Sequence, residues 1–419
     1  MSEGVMSTAG GQTARVSVAL LGAAAFIVTA DVRVINPLLP IIAHEFHTDI
    51  GSTGFIVTAY TIPYGLFQLV YGPLGDYIGK LKIMTMAMAF FAVGTAICAA
   101  APSLAILDLL RFLTGVAAAA VIPLSLAYIG DNFPYEQRQA AIGQFLTAVA
   151  LANILSTSLG GIAGDVLSWR LIFLLYGLVS VGIFWAFWLA TRGLSDQVKH
   201  DSKLFTLASF KPYGQLISKP APRLVIIAVF IEGVFFFGGF AYLGGFLKHR
   251  YDLPYWAIGL MLAGFGLGGL FYSRAVKWLV RRFGENGLML YGGFLSCLCF
   301  LIIALVGSWE LFIGVDILLG LGYYMLHSTL QTKATELSPE ARGTAVSLFA
   351  FSLFWGQGTG AAVLGAVVGD DVGYTPAFII SGVAMGLLGI WLVNRTRRYT
   401  VVAKPADTIS EITQAFVRE

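Results

Sequence analysis

Charge is what this chain has least of. Only 12% of its residues are charged, about half the share of a soluble domain. A water-facing surface cannot be built from that, and the missing polar surface must be replaced by lipid. Cysteine is scarce too. Cys98, Cys297 and Cys299 all lie in apolar stretches, which excludes a disulfide framework and offers no metal-ligand spacing. There is no phosphate-cradling glycine loop, no paired metal ligands and no nucleophile–base arrangement. The hydrophilic stretches between the apolar runs are too short to hold a soluble domain. An enzyme or a receptor would need such a domain or a clustered catalytic set, so neither is expected.

What is present is a series of long apolar runs. A span needs about 20 mostly apolar residues, and the sequence reads as twelve: 16–42, 51–74, 83–101, 104–130, 139–164, 171–191, 223–247, 256–277, 287–307, 309–332, 343–368 and 374–393. The close pairs near Pro102 and Ser308 need the charge pattern to separate them. Of 26 Lys and Arg, 21 lie in every second gap or in the tails. Lys248, Arg250 and Arg170 fall in the opposite gaps, and Arg33 and Arg111 lie within apolar runs. Positive loops stay on the cytoplasmic side. The expectation is therefore a multi-pass protein of the cell membrane with both termini in the cytoplasm. The net charge of +3 reports topology and not nucleic-acid binding. The first apolar run is too long for a signal-peptide core and reads as an uncleaved span.

The segment 192–222 is the most hydrophilic, with Lys199, Lys203, Lys211 and Lys219 among Pro212, Pro220 and Pro222. It reads as a cytoplasmic linker between two six-helix halves, 1–191 and 223–398, with a polar tail at 399–419. The halves repeat. An offset of 205 residues places Gly79 on Gly284, Gly160 on Gly365, Gly164 on Gly369, Asp165 on Asp370, Phe173 on Phe378 and Arg111 on Asp316. With one gap, Arg138 falls on Arg342. Parallel repeats of this kind imply a central site between the halves.

The loop after the second span reads Gly72-Pro-Leu-Gly-Asp76-Tyr-Ile-Gly79-Lys80-Leu-Lys82. Glycine permits close approach and sharp turns, and Asp76 is suited to face a helix N-terminus. With Arg111-Phe-Leu-Thr-Gly115 in the fourth span, Trp169-Arg170-Leu-Ile-Phe173 at the sixth, and Pro339-Glu-Ala-Arg342-Gly343 before the eleventh, the chain resembles the major facilitator superfamily over nearly its whole length. The resemblance implies an all-α membrane protein of twelve transmembrane helices in two pseudo-symmetric six-helix bundles. It also implies secondary transport of a small organic solute, closest to the drug:proton antiporter branch. Two departures matter. Tyr77 stands where the family often has Arg, so Asp76 needs a cation from elsewhere. In the fifth span, Ser156-Thr157-Ser158-Leu159-Gly160-Gly161 keeps the Gly-Gly of the antiporter motif and lacks its Gly-Pro. Gly160 and Gly161 then serve to let the fifth and eighth helices pack closely, matched by a small stripe of Gly264 and Gly268.

A charge at the bilayer centre costs about 2.5–3.5 kcal/mol on insertion scales, so each needs a partner or a purpose. Asp31 and Arg33 lie in the first span, Arg111 in the fourth, Glu232 in the seventh and Asp316 in the tenth. At about 1.5 Å per residue, Asp31 lies a turn or less below Arg111 and Asp108 one turn above it, so Asp31, Arg33, Asp108 and Arg111 are read as one network in the outer half, with Arg111 the expected partner of Asp31. Asp31 and Arg33 are two apart and do not face each other. Glu232 has no cation on its own helix. Burial disfavours the charged form of a carboxyl, which is the behaviour a proton carrier needs. Asp316 is expected at the depth of Arg111 across the centre. His327 is a further candidate, more simply read as a hydrogen-bonded packing residue. Phe230, Phe235, Phe236, Phe237, Phe240 and Tyr242 surround Glu232 in sequence, and two or three of them can line an apolar pocket.

The expected activity is proton-coupled efflux of amphipathic or drug-like compounds. Uptake of a metabolite or organic anion, with Arg33 and Arg111 as ligands, is the alternative. The expected partners are a small-molecule substrate, protons as coupling ion and the lipid bilayer, with no cofactor, metal or nucleic acid. The chain is expected to act as a monomer in a bacterial inner membrane.

Overall fold

The computed structural model describes residues 16–192, 210–305, 307–336, 342–369 and 373–402. The polar N-terminal stretch, Lys199, Lys203, Pro339, Asp370 and most of the tail lie outside them.

Among the described residues every regular element is a helix. The first half comprises α1 (Val18–Glu45), the short α2 (Ile50–Thr53), α3 (Phe55–Ile78), α4 (Lys80–Cys98), α5 (Leu104–Ala118), α6 (Val121–Asn132), α7 (Tyr135–Val166) and α8 (Trp169–Thr191). After α9 (Lys211–Ser218) the second half follows: α10 (Pro220–Glu232), a π-helical turn (Gly233–Phe237), α11 (Gly238–Phe240), α12 (Leu243–Tyr251), α13 (Tyr255–Leu262), α14 (Gly264–Leu305), α15 (Phe312–Glu336), α16 (Arg342–Gly369) and α17 (Tyr374–Val402).

Eleven helical stretches are long and apolar enough to cross a membrane. One of them, Tyr255–Leu305, has 51 residues, about 76 Å of helix against a hydrocarbon core of about 30 Å. It breaks at Gly284, whose φ of 64° and ψ of 173° are non-helical, so it makes two crossings and the total is twelve. The expected gap between spans 256–277 and 287–307 is therefore not a loop. No breaker lies between residues 277 and 284, and the helix carries Arg274, Lys277, Arg281 and Arg282 exposed on its surface. The repeat mate Gly79 also has a positive φ, 112°, and separates α3 from α4. Both glycines make turns that a side chain would strain. The expected linker is partly helical as well: α9 buries Tyr213 and Leu216 against Ala345 and Leu348.

The other turns are capped locally. Asp49 accepts from Ser52 N at 2.8 Å, Ser103 caps α5 and Ser168 caps α8. The apolar core divides with the repeat. One large cluster is built of residues 225–392, and two others, apart from Ala361, of residues 16–187.

The turns at Gly79, Phe133 and Gly284 define one face of the bundle, here termed the basic face. On the opposite face the halves touch through glycine. A Cβ on Gly161 would lie 2.3 Å from Tyr255 O and 2.7 Å from Gly259 Cα, and one on Gly51 would lie 2.1 Å from Gly365 O. Asp165 Oδ2 also accepts from Trp256 N, at the start of α13, at 2.6 Å. Towards the basic face the same helices part. A cleft of about 560 Å³ opens between α7 and α14/α15, lined by Thr147, Ile154, Tyr272, Tyr324 and Ser328.

Candidate functional site

The intramembrane charges resolve into four separate arrangements. The expected pairing of Asp31 with Arg111 forms: Arg111 NH1 donates to Asp31 Oδ2 at 2.5 Å and NH2 to Asp31 O at 3.4 Å. Both side chains are fully buried, and the guanidinium lies 4.2 Å from the ring centre of Tyr60 and 5.4 Å from that of Phe173. The four-member network does not form. Asp108 Oδ1 is buried without a hydrogen bond, and Arg33 turns elsewhere. Arg111 is spent on Asp31 and sealed behind aromatic rings, so its guanidinium is not open to a ligand.

Arg33 points to the other half. Its Nε donates to Asn153 Oδ1 on α7 at 2.9 Å, and its Cζ lies 4.5 Å from the ring centre of Phe237. That ring belongs to the π-helical turn, a form often found at functional sites. Phe237 is 5.1 Å from Tyr323, and Tyr323 stacks on His327 at 4.8 Å with the planes 16° apart.

Glu232 sits at the start of the π-helical turn, with no exposed surface, and its Oε2 is 3.0 Å from His327 Nδ1. The two lie 95 residues apart, and this pairing raises His327 from a packing residue to the partner of the acid. Glu232 Oε1 has no hydrogen bond. Of the aromatics near Glu232 in sequence, Phe236, Phe237 and Phe240 gather with Phe265 and Tyr323. Tyr242 instead donates to Ala361 O near the opposite face.

Asp316 does not face Arg111. It is fully buried, and its Oδ2 accepts from Phe265 N at 2.7 Å. That amide is freed by the break between α13 and α14, so Asp316 acts as a cap inside the membrane. The stripe of Gly264 and Gly268 faces α15 and not α7: a Cβ on Gly264 would approach Asp316, and one on Gly268 would meet Ile317 O. The glycines that meet α7 are Gly259, against Gly161, and Gly266, against Ile154. Gly160 packs on Val34 and Pro37 of α1.

On the basic face Asp76 obtains its cation from Lys80 at 2.7 Å, and Lys80 also binds Asp131 at 2.8 Å. Gly79 makes the turn into α4, whereas Gly72 has open space at its Cα. Gly72, Asp76 and Lys80 line a cavity of about 600 Å³ with Tyr213, Gly343 and Thr344. At the other end Trp169 and Arg170 staple α8 to Glu45 of α1, with Arg170 NH1 donating to Ala99 O and Ala101 O. Asp131, Glu45 and Asn153 were not singled out in the sequence. They are ordinary polar residues, and only the fold brings them to their partners. Among the described residues no three His, Cys, Asp or Glu side chains gather to hold a metal.

Twelve helical crossings in two repeated halves, closed at one face and with buried charges within the spans, define a polytopic membrane carrier. The family model of the Major Facilitator Superfamily matches residues 21–360 and 278–418, and the chain belongs to that superfamily. It is a secondary transporter working by alternating access. The uncharacterized MFS-type transporter YceJ of Bacillus subtilis is 26% identical over 348 residues, covering 81% of this chain and 86% of that protein. The drug efflux pump JefA of Mycobacterium tuberculosis is 25% identical over 327 residues, covering 63% of each chain. The fold is also similar to that of the nucleoside transporter NupG, with a TM-score of 0.74 over 89% of this chain and 98% of that one at 13% identity. A bacterial homolog of the lysosomal transporter Spinster, in an inward-facing conformation, matches with a TM-score of 0.68 at 17% identity over 90% and 94% of the two chains.

Proposed function

We propose that the chain exports amphipathic organic compounds in exchange for protons, with Glu232 and His327 as the proton-carrying pair. The observation that carries this reading is the buried Glu232–His327 contact at the π-helical turn. A carboxyl with no exposed surface and one unpaired oxygen is costly to leave charged. His327, partly accessible and stacked on Tyr323, offers the route by which a proton arrives. Asp31 is the rival carrier, but its carboxylate is held by Arg111, which favours a structural role. Efflux, rather than uptake, is supported by the likeness to JefA. The basic face is the cytoplasmic one in this reading, with both termini on that side and the halves 1–191 and 223–398 rocking about the central site.

The test is transport in proteoliposomes under an imposed proton gradient, alongside equilibrium binding. Glu232→Gln keeps the shape and loses the proton site, so it should retain binding and lose gradient-driven transport. Transport by this variant with an unchanged pH dependence, or an Asp31→Asn variant that binds without coupling, would move the proton to Asp31 and refute the assignment.

A further inference from the structure

Arg33 is an intramembrane cation without an acid. It is residue 16 of the 28 in α1, so about 18 Å of helix separates it from the nearer end. Among the described residues every ion pair involves other side chains. Its Nε is bound by the neutral Asn153, and the face of the guanidinium rests on Phe237. The terminal nitrogens are not among the buried atoms lacking a partner, because the side chain is only half-buried. Tyr324 and Ile154, the latter adjacent to Asn153, line the cleft that opens towards the basic face. Arg111, also deep within a span, shows what a structural cation looks like here: a carboxylate partner and almost no exposed surface.

We infer that Arg33 is the ligand of a negative group on the transported solute, and that the substrates are aromatic amphipathic carboxylates. The two terminal nitrogens present the planar fork that matches a carboxylate. The half-buried ring of Tyr324, which lines the cleft, offers adjacent apolar surface for an aromatic body, with Phe237 and Tyr323 buried behind it. The fixation of Nε by Asn153 sets the fork's direction before the solute arrives, which lowers the ordering cost of binding. This inference rests on the central placement of the solute in the proposed function, and it narrows the solute's chemistry without depending on proton coupling.

The experiment uses the full chain in phosphatidylcholine nanodiscs with three probes sharing one ring system: 2-naphthoate, 2-naphthamide and 2-naphthylmethylammonium. Binding is measured by calorimetry at neutral pH without a gradient. The carboxylate should bind about tenfold or more tightly than the amide, the scale of a charge-assisted pair, and the ammonium should bind weakest. Arg33→Gln should erase the preference while Arg33→Lys retains part of it. Should Arg33→Gln fail to fold, the comparison of the three probes on the native chain and on Arg33→Lys still decides. Equal affinities, preference for the ammonium, absence of carboxylate binding, or a folded Arg33→Gln that keeps the preference would each overturn the inference. Competition by added phosphatidylglycerol would assign the fork to a lipid headgroup and overturn it as well. A carboxylate preference in a protein that fails gradient-driven transport would uphold the anion ligand and sink only the proton coupling.

Discussion

Gly161→Ala is the sharpest probe of the alternating mechanism, because its effect is confined to one state. A Cβ at position 161 would sit 2.3 Å from Tyr255 O, 2.7 Å from Gly259 Cα and 2.8 Å from Gly259 N. All three are backbone atoms, so no side chain can rotate away and the two helices must separate. Overpacking of this kind costs about 1–3 kcal/mol. When the halves part at this face the methyl group meets open space and the cost vanishes. The substitution therefore shifts the balance between closed and open by about 5- to 150-fold while leaving the fold intact. Spin labels at Val166 and Trp256, both exposed beside the contact at 76% and 49%, report the separation by pulsed electron resonance. A longer distance population should grow, and transport should fall as the closed state becomes rare. Gly143→Ala on the same helix, with nothing within 4 Å of the added Cβ, is the control and should change neither. An unchanged distance distribution in a folded Gly161→Ala protein would refute the argument that the backbone contact closes this face.

Three further outcomes are expected. Asp31→Asn should lower membrane abundance and thermal stability by about 3–5 kcal/mol, because it leaves the buried Arg111 charge unpaired; normal melting in detergent would refute this. Asp165→Ala removes the acceptor for Trp256 N and should lengthen the same label distance by a smaller population shift than Gly161→Ala, about 1 kcal/mol on the scale of a helix cap; a larger shift than that of the glycine variant would reverse the ranking of the two contacts. Asp76→Asn leaves Lys80 paired with Asp131, so the protein should reach the membrane at normal levels and transport poorly; full transport at normal expression would reduce the motif to an ordinary turn.

The crossings and the repeat were legible because both depend on composition along the chain. Apolar length and basic loops are one-dimensional signals, and Gly79 and Gly284 share a positive φ as their shared offset implied. The Asp31–Arg111 pair was legible because two charges at one depth have few alternatives. What the sequence did not reveal was which residues face one another across the bundle. Glu232 and His327 are separated by 95 residues, and no pattern on either helix points to the other. The glycine stripe of the eighth crossing was misassigned for the same reason. Gly259, Gly264, Gly266 and Gly268 are close in sequence, but the break at Ala263 rotates α14 relative to α13, so Gly264 and Gly268 present to α15. The uninterrupted helix through Arg274–Arg282 was hidden because charge marks where a membrane ends and says nothing of where a helix does.

The contacts at Gly161–Gly259 and Gly51–Gly365 share a property beyond their closeness: they join backbone to backbone with almost no side chain between. Few directional bonds cross there, Trp256 N to Asp165 Oδ2 at 2.6 Å among them, and the contacts of the glycines themselves carry no charge. What is lost is dispersion, small per atom pair, and weak Cα–H···O attraction. Such a junction behaves like two smooth plates: firm while the plates touch, with little hysteresis when they part, and indifferent to whether water or lipid enters. A gate built from interlocking side chains would have to break and remake specific bonds in every cycle. This one opens on a gentle free-energy slope, which leaves the small driving force of a loaded solute or proton sufficient to turn the molecule over.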